Sequence, residues 1–218
     1  MATDGATTTG KVLHSARAYD LLVWVLTLGR ERRFRDHLVQ LARLDSGDSG
    51  LDVGCGTGAL ALAARPRVGS GGQVCGVDPS PQMVARARRK AAKAGADVGF
   101  QTAAVEALPF PDATFDAVLS SLMLHHLTEE GRRQGIGEIA RVLKPGGRFL
   151  AVDIGGRTEG TRHGLFLRLR RHADFDVDEL TPALEAAALQ IVERGPVTTP
   201  GVVGLPNLRF ILAVAPSS

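Results

Sequence analysis

The stretch Leu51-Asp52-Val53-Gly54-Cys55-Gly56-Thr57-Gly58-Ala59-Leu60-Ala61 constrains this chain more than any other, because it reads as strand, glycine turn and helix start in quick succession. Its glycines alternate at 54, 56 and 58, so the backbone can turn sharply and approach a ligand where a Cβ would collide. A dinucleotide-binding fingerprint needs one more residue before its last glycine. The turn therefore points to a nucleotide-type ligand that brings no pyrophosphate, seated at the carboxyl end of a strand.

The segments around the turn alternate. A helical pattern from Val12 to about Leu44, broken near Gly29, carries Leu38, Leu41 and Leu44 on one stripe. A strand near Leu51 to Val53 follows, then a helix from Ala59, a strand at Gln73 to Val77 and a helix from Pro81 to Ala94. Next come a strand near Val98 to Thr102, a loop kept irregular by Pro109 and Pro111, and the apolar strand Phe115 to Ser120. Glu129 to Val142 reads as a helix stopped by Lys144-Pro145-Gly146-Gly147, with a strand from Arg148 to Ile154 directly after it. A helix near Val177 to Leu189 and two late strands, Gln190 to Val192 and Leu208 to Val214, close the chain. Apolar strands alternating with helices predict an α/β, doubly wound, mainly parallel sheet, and the last two strands predict an antiparallel pair at one edge.

A chain of 218 residues, 44% of them hydrophobic, is sized for one core. The expected organisation is a disordered tail over 1–10 and a single domain over 11–218. Within it, 11–45 form a helical lid, 46–154 the ligand-binding core, 155–189 an acceptor or lid segment and 190–218 the edge strands. The 26 Lys and Arg stand among 23 Asp and Glu, so the net charge of +3 reads as solubility rather than a nucleic-acid surface. Cys55 and Cys75 form no C-x-x-C pair and no His/Cys ligand cluster, so neither a disulfide framework nor a metal site is expected. The start lacks a signal sequence, and the apolar run Leu21 to Leu28 falls far short of the roughly 20 residues that span a bilayer. The expected location is the cytoplasm.

Four landmarks stand in order: Leu51 to Gly58, Gly76-Val77-Asp78-Pro79-Ser80-Pro81-Gln82-Met83, Glu106-Ala107-Leu108-Pro109-Phe110-Pro111-Asp112, and Arg141-Val142-Leu143-Lys144-Pro145-Gly146-Gly147. Together they resemble the small-molecule class I S-adenosylmethionine-dependent methyltransferases, in particular the branch of the ubiquinone and menaquinone biosynthesis C-methyltransferases. The resemblance implies a Rossmann-like sheet of seven strands, S-adenosylmethionine as cofactor, S-adenosylhomocysteine as product and no metal. It also implies a cofactor site at Tyr19, Asp52, Gly54, Cys55, Gly56, Gly58, Asp78, Pro79, Met83, Ala104, Val105, Glu106 and Ser120. Asp52 is placed to accept from the methionyl ammonium, or more plainly to stabilise the turn. Asp78, about 20 residues beyond Gly58, suits the ribose hydroxyls. The family usually has an aspartate for the adenine amino group where this chain has Ala104, so that side-chain contact is missing.

Methyl transfer from a sulfonium relies on positioning, and a hydroxyl or activated-carbon acceptor also needs a base. His125 and His126 follow the fourth strand, and His126 is the favoured base; Asp153, ending the fifth, is the second candidate for acceptor contact, and both histidines and Asp153 have a structural alternative. Cys55 reads as a packed residue. Ser120-Ser121-Leu122-Met123-Leu124-His125-His126 carries neither the Asn/Asp-Pro-Pro nor the Pro-Cys signature of nucleic-acid methylation, and one Trp and one Tyr offer few stacking platforms. A small, apolar or aromatic acceptor fits better, selected by Val12 to Leu28 and Gly155 to Arg171. Leu165, Phe166, Leu167 and Leu169 beside Arg168, Arg170 and Arg171 also match a peripheral membrane contact, with a solvated basic helix as the plainer alternative. A cofactor-binding protein with decayed catalysis is the competing class, kept open by Ala104. The sequence does not read out an oligomeric state.

Overall fold

The computed structural model describes residue 8 and residues 31–155, 175–198 and 208–217. Tyr19, the lid expected from Val12 to Leu28, most of the 1–10 tail and all but the first residue of Gly155 to Arg171 lie outside the described residues. Among the described residues, seven strands form one sheet: β1 (Ser49–Val53), β2 (Gln73–Asp78), β3 (Gly99–Thr102), β4 (Phe115–Ser121), β5 (Leu143–Ile154), β6 (Gln190–Pro196) and β7 (Leu208–Val214). Their order is β3-β2-β1-β4-β5-β7-β6. The ladders from β3 through β5 are parallel, and β7 runs antiparallel to both β5 and β6. The α/β, Rossmann-like reading holds, including the antiparallel edge pair.

Successive strand residues point to opposite faces, and both faces are apolar. Leu51, Val53, Val118 and Phe149 pack with Ile136 and Ile139 of α4 (Glu129–Val142) and with Leu184 of α5 (Thr181–Ala186). Ala117, Leu119, Leu150 and Val152 pack on the other face with α1 (Glu31–Leu41), α2 (Ala59–Val68) and α3 (Pro81–Ala94). Burying a side chain such as Leu150, 1% exposed, contributes about 1.5–3 kcal/mol. Removing it to alanine costs about 2–5 kcal/mol, because a strand centre clasped from both sides cannot collapse onto the void. The same alternation sorts the polar residues at the carboxyl edge. Asp52 and Ser121 fall on the face of α1 and α2, whereas Ser120 and Asp153 fall on the face of α4.

The helix starts follow from local chemistry. Ser80 accepts from the Met83 N–H ahead of Pro81, and Thr128 accepts from the Gly131 N–H, so α3 and α4 begin where those caps place them. The cap of α2 is Gly58, which has no side chain, and Asp52 from β1 supplies the missing acceptor to the Ala61 N–H at 3.1 Å.

Three elements differ from expectation. Lys144 to Gly147 does not precede the fifth strand but sits inside it. Phe115 pairs with Leu143 and Ala117 with Arg148, so the segment is extruded as a bulge, with Gly146 at φ 72°. The helix expected from Val177 to Leu189 splits into a short 3-10 turn, Val177–Leu180, and α5, because Pro182 belongs to a helical first turn and Ala188 at φ 57° ends the helix. β6 runs on to Pro196, paired with β7 along its length.

Candidate active site

The strand order reverses direction between β1 and β4, and in open α/β sheets the crevice at that switch point takes the ligand. The glycine turn lies there. Gly54, Gly56 and Gly58 have φ of 69°, 52° and 80°, the left-handed region that costs other residues energy. A Cβ on Gly58 would come within 2.9 Å of the Ala87 Cβ, and one on Gly54 would overlap Met123. The absence of a Cβ at Gly54 and Gly58 thus serves packing around the turn. Cys55 closes the turn by donating its N–H to Val77 at 2.9 Å. Burial, then the charges of Asp52 and Asp78, push its thiol well above the ordinary range, which removes it as a nucleophile and leaves the packed residue expected.

Asp78 ends β2 with both carboxylate oxygens engaged: Oδ2 accepts from the Gly56 N–H and Oδ1 from the Ser80 N–H, each at 2.9 Å. It therefore ties the glycine turn to the start of α3, while the remaining lone pairs stay available to a diol. Burial raises its carboxyl. Pro79 beside it is half-buried, and Met83 is buried in the first turn of α3. Asp52 is 3% exposed and turned toward α2. Burial pushes its carboxyl up to about 7, Arg35 pulls it back, the Ala61 N–H does the same, and Asp78 raises it.

In the third landmark, Ala104 is buried and accepts only through its carbonyl, from the Ala107 N–H at 3.2 Å. Val105 packs its side chain toward Gly135 of α4, so it can address a ring only through its backbone. Glu106 is buried; its Oε1 accepts from the Thr8 hydroxyl at 2.8 Å, a contact between the tail and the third landmark. The loop behind is held by Arg141, which donates to the carbonyls of Leu108 at 3.0 Å and Phe110 at 2.8 Å and to Glu138. The third and fourth landmarks are therefore one hydrogen-bonded unit, which sequence separation conceals.

At the end of β4, Ser120 is 1% exposed and its hydroxyl has no hydrogen-bond partner among the described residues. Leu122 then takes φ 57°, an unfavourable conformation for a branched side chain, and its N–H donates to Val152 at 2.8 Å. That bend carries Leu124–His126, a 3-10 turn, across the sheet edge toward β5. There Asp153, fully buried, lies with Oδ1 2.6 Å from His125 Nδ1 and accepts from the His125 backbone N–H through Oδ2 at 3.2 Å. The His126 ring stacks 4.0 Å from that of His125. The structure thus brings together the two predicted regions but pairs Asp153 with His125, not with His126, the histidine that the sequence favoured. Strand parity contained the signal, since Asp153 and the turn after β4 share the face of α4.

Sequence reasoning also missed Arg35. It reads as one of several charges on a basic helix, yet it is 5% exposed and donates from Nη1 to the Ser121 hydroxyl at 3.1 Å. The available signal was its spacing, three or four residues before the buried Leu38 and Val39.

Among the described residues no group of three His, Cys, Asp or Glu is gathered as a metal would need, and no helix is long and apolar enough to cross a membrane.

Residues 51–147 match the model of a methyltransferase domain. With the strand order and the glycine turn, that match likens residues 51–147 to the methyltransferase domain class. Within the class, the chain is 40% identical over 139 residues to the demethylmenaquinone methyltransferase of Thermus thermophilus, covering 64% of this chain and 62% of that protein. It is 38% identical over 141 residues to the ubiquinone/menaquinone biosynthesis C-methyltransferase UbiE of Geobacter sulfurreducens, covering 64% and 54%. The matched part spans less than two thirds of either relative's own length. A SAM-dependent methyltransferase from Aquifex aeolicus superposes with a TM-score of 0.73 over 93% of this chain and 99% of that one, at 21% identity, a likeness of fold.

Proposed function

We propose that this chain methylates a small, hydroxylated aromatic acceptor, with His125, oriented by Asp153, taking the acceptor's proton. The observation that carries the reading is the double contact between Asp153 and His125. Three observations support the cofactor reading: the turn carries three left-handed glycines, Asp78 ends β2 bonded to that turn, and the buried Ser120 hydroxyl has no partner among the described residues. Asp78 and the turn would hold the nucleoside, and the Val105 backbone with Glu106 would border the adenine. When bound, S-adenosylmethionine supplies an electrophilic methyl on a sulfonium that leaves as neutral S-adenosylhomocysteine.

The protein's share is positioning and proton removal. A carboxylate only accepts hydrogen bonds, so in the neutral His125 ring Nδ1 carries the proton and Nε2 keeps its lone pair. Nε2 takes the proton of a phenolic hydroxyl, the acceptor's electron pair forms the new bond to the methyl carbon, and the carbon–sulfur pair stays on sulfur. The same removal serves methylation of a ring carbon activated by that hydroxyl, and the relative from Geobacter sulfurreducens is a C-methyltransferase by name. The buried carboxylate that orients a histidine just beyond β4 supports catalysis over a cofactor-binding protein without it. The segments Val12 to Leu28 and Gly155 to Arg171, outside the described residues apart from Gly155, are proposed to select the acceptor, and a location in the cytoplasm with contact to a membrane surface is proposed with it.

The test is release of S-adenosylhomocysteine across a panel of quinols, phenols and aliphatic alcohols. Turnover on hydroxylated aromatics, lost in His125→Ala, is expected. A chain that binds cofactor yet releases no product with any acceptor would support the non-catalytic alternative.

A further inference from the structure

The two faces of the sheet carry charge differently. On the face of α4, cations stand beside acids of their own helix: Arg133 pairs with Glu130 at 2.6 Å and Arg141 with Glu138 at 2.8 Å. The stretch from Ala59 to Ala94, which supplies α2 and α3 to the opposite face, holds seven Lys and Arg and a single acid. That acid is Asp78, whose carboxylate is engaged by the glycine turn. The next one, Asp97, stands beyond the end of α3.

α3 lays Met83, Val84, Ala87 and Ala91 against the sheet. Arg86, Arg89, Lys90 and Lys93 recur at i, i+3, i+4 and i+7 and so share one flank of the helix. Arg89 and Lys93 are exposed, and Lys90 reaches the Thr57 hydroxyl at 2.7 Å, which turns that flank toward the start of α2. Arg65 and Arg67 continue the charge at the far end of α2. Among the described residues, no carboxylate forms an ion pair with Arg65, Arg67, Arg88, Arg89 or Lys93. Arg67 and Arg88 donate to the carbonyls of Leu44 and Phe100, neutral groups that leave the charge uncancelled. Arg86 with Lys90, and Arg89 with Lys93, are like charges at i,i+4, which destabilises a helix. A stripe built against that preference points to an anionic partner.

The make-up of the face selects among anionic partners. Neither α2 nor α3 contains an aromatic residue, so nothing there stacks on a base, and neither exposes a large apolar side chain that would insert into lipid or a protein groove. Alanines, Ala85 and Ala92, stand between the cations and keep the surface low. Clustered Lys and Arg on a helix, without rings, are the composition that binds acidic lipid headgroups. We propose that the face of α2 and α3 rests on an anionic lipid bilayer, held by headgroup charge without insertion. The proposal rests on the membrane contact proposed above and locates that contact on the folded core. Both helices begin at the carboxyl edge of the sheet, so a bilayer against them borders the crevice.

The experiment is co-sedimentation of the full chain with vesicles of phosphatidylcholine alone, and with vesicles that also hold about 30% phosphatidylglycerol, an acidic lipid. Neither cofactor nor acceptor is added. Binding to the anionic vesicles only, weakened as salt is raised, is expected. Each cation at such a surface strengthens binding about fivefold, so Arg89→Gln with Lys93→Gln should weaken it by more than about tenfold. Both side chains are exposed and unpaired, so the double variant keeps the wild-type Tm. Arg133→Gln, on the opposite face, should leave vesicle binding unchanged. Equal sedimentation with both vesicle types, none with either, or an equal loss in Arg133→Gln overturns the proposal. Anionic binding that survives the double variant also overturns it and returns the membrane contact to another part of the chain. Tighter binding of a single-stranded RNA oligonucleotide than of the anionic vesicles overturns it in favour of nucleic acid. None of these outcomes bears on methyl transfer, whose failure is read separately from S-adenosylhomocysteine release.

Discussion

Asp153 grips His125 twice, with Oδ1 2.6 Å from the ring Nδ1 and Oδ2 accepting from the backbone N–H at 3.2 Å, so both the tautomer and the ring orientation are fixed from β5. A third contact, from the Ile154 N–H to Oδ1 at 2.8 Å, fixes the carboxylate in turn. The proposed role of His125 as a base rests on this orientation, which is set before any acceptor arrives.

His125→Ala should lower kcat by about 100-fold or more, within the range for a general base, and leave S-adenosylhomocysteine affinity nearly unchanged. Asp153→Asn should lower kcat as well, since an amide can present an N–H to Nδ1 and favour the wrong tautomer. His126→Ala should do far less. Steady-state kinetics with parallel calorimetry check the split, and a larger loss in His126→Ala than in His125→Ala would reverse the assignment.

Asp78→Ala should weaken cofactor binding by more than tenfold, which corresponds to about 1.4 kcal/mol. It also frees the Gly56 and Ser80 N–H groups, so a thermal melt should show a lower Tm. Asp78→Asn keeps one acceptor and should recover part of the stability but little of the affinity. Equal affinity in all three proteins would place the ribose elsewhere.

Gly54→Ala should destabilise the fold by about 1–2 kcal/mol from its left-handed φ alone. Overlap with Met123 adds to this, and Met123→Ala should rescue that added part only. Denaturant midpoints of the four proteins in this cycle give the coupling. Additive effects would mean that Met123 moves aside freely.

Asp52 gives the protein a pH dependence of a particular sign. Its carboxyl rises from 3.8 to about 7 on folding, chiefly through burial, so between those values the folded state holds more proton than the unfolded one. Its contribution therefore falls as pH rises from about 4 to about 7, by a few kcal/mol. Asp52→Asn, which still accepts from the Ala61 N–H, should be more stable than the wild-type protein near pH 8 and should lose that slope. Urea midpoints near pH 5 and pH 8 decide it; an unchanged slope in the variant would mean that the carboxyl ionises normally.

Much of this fold was legible in the sequence because the signals are local. Ser80-Pro81 and Thr128 are strong starts, and the helices they open run over the predicted residues. The extruded turn at Lys144 to Gly147 was not legible as part of β5, because only the pairing of Leu143 with Phe115 makes the strand begin before it. In the candidate site, the glycine turn and Asp78 were legible from their spacing. The positions of His125 and Arg35 were not: the first depends on which face of β5 Asp153 occupies, and the second on burial that a charged helix disguises.

Calorimetric titration of the protein with S-adenosylmethionine tests most directly whether the glycine turn and Asp78 form an S-adenosylmethionine site. One saturable site per chain, weakened more than tenfold by Asp78→Ala, is the predicted result. No binding at millimolar cofactor would contradict it.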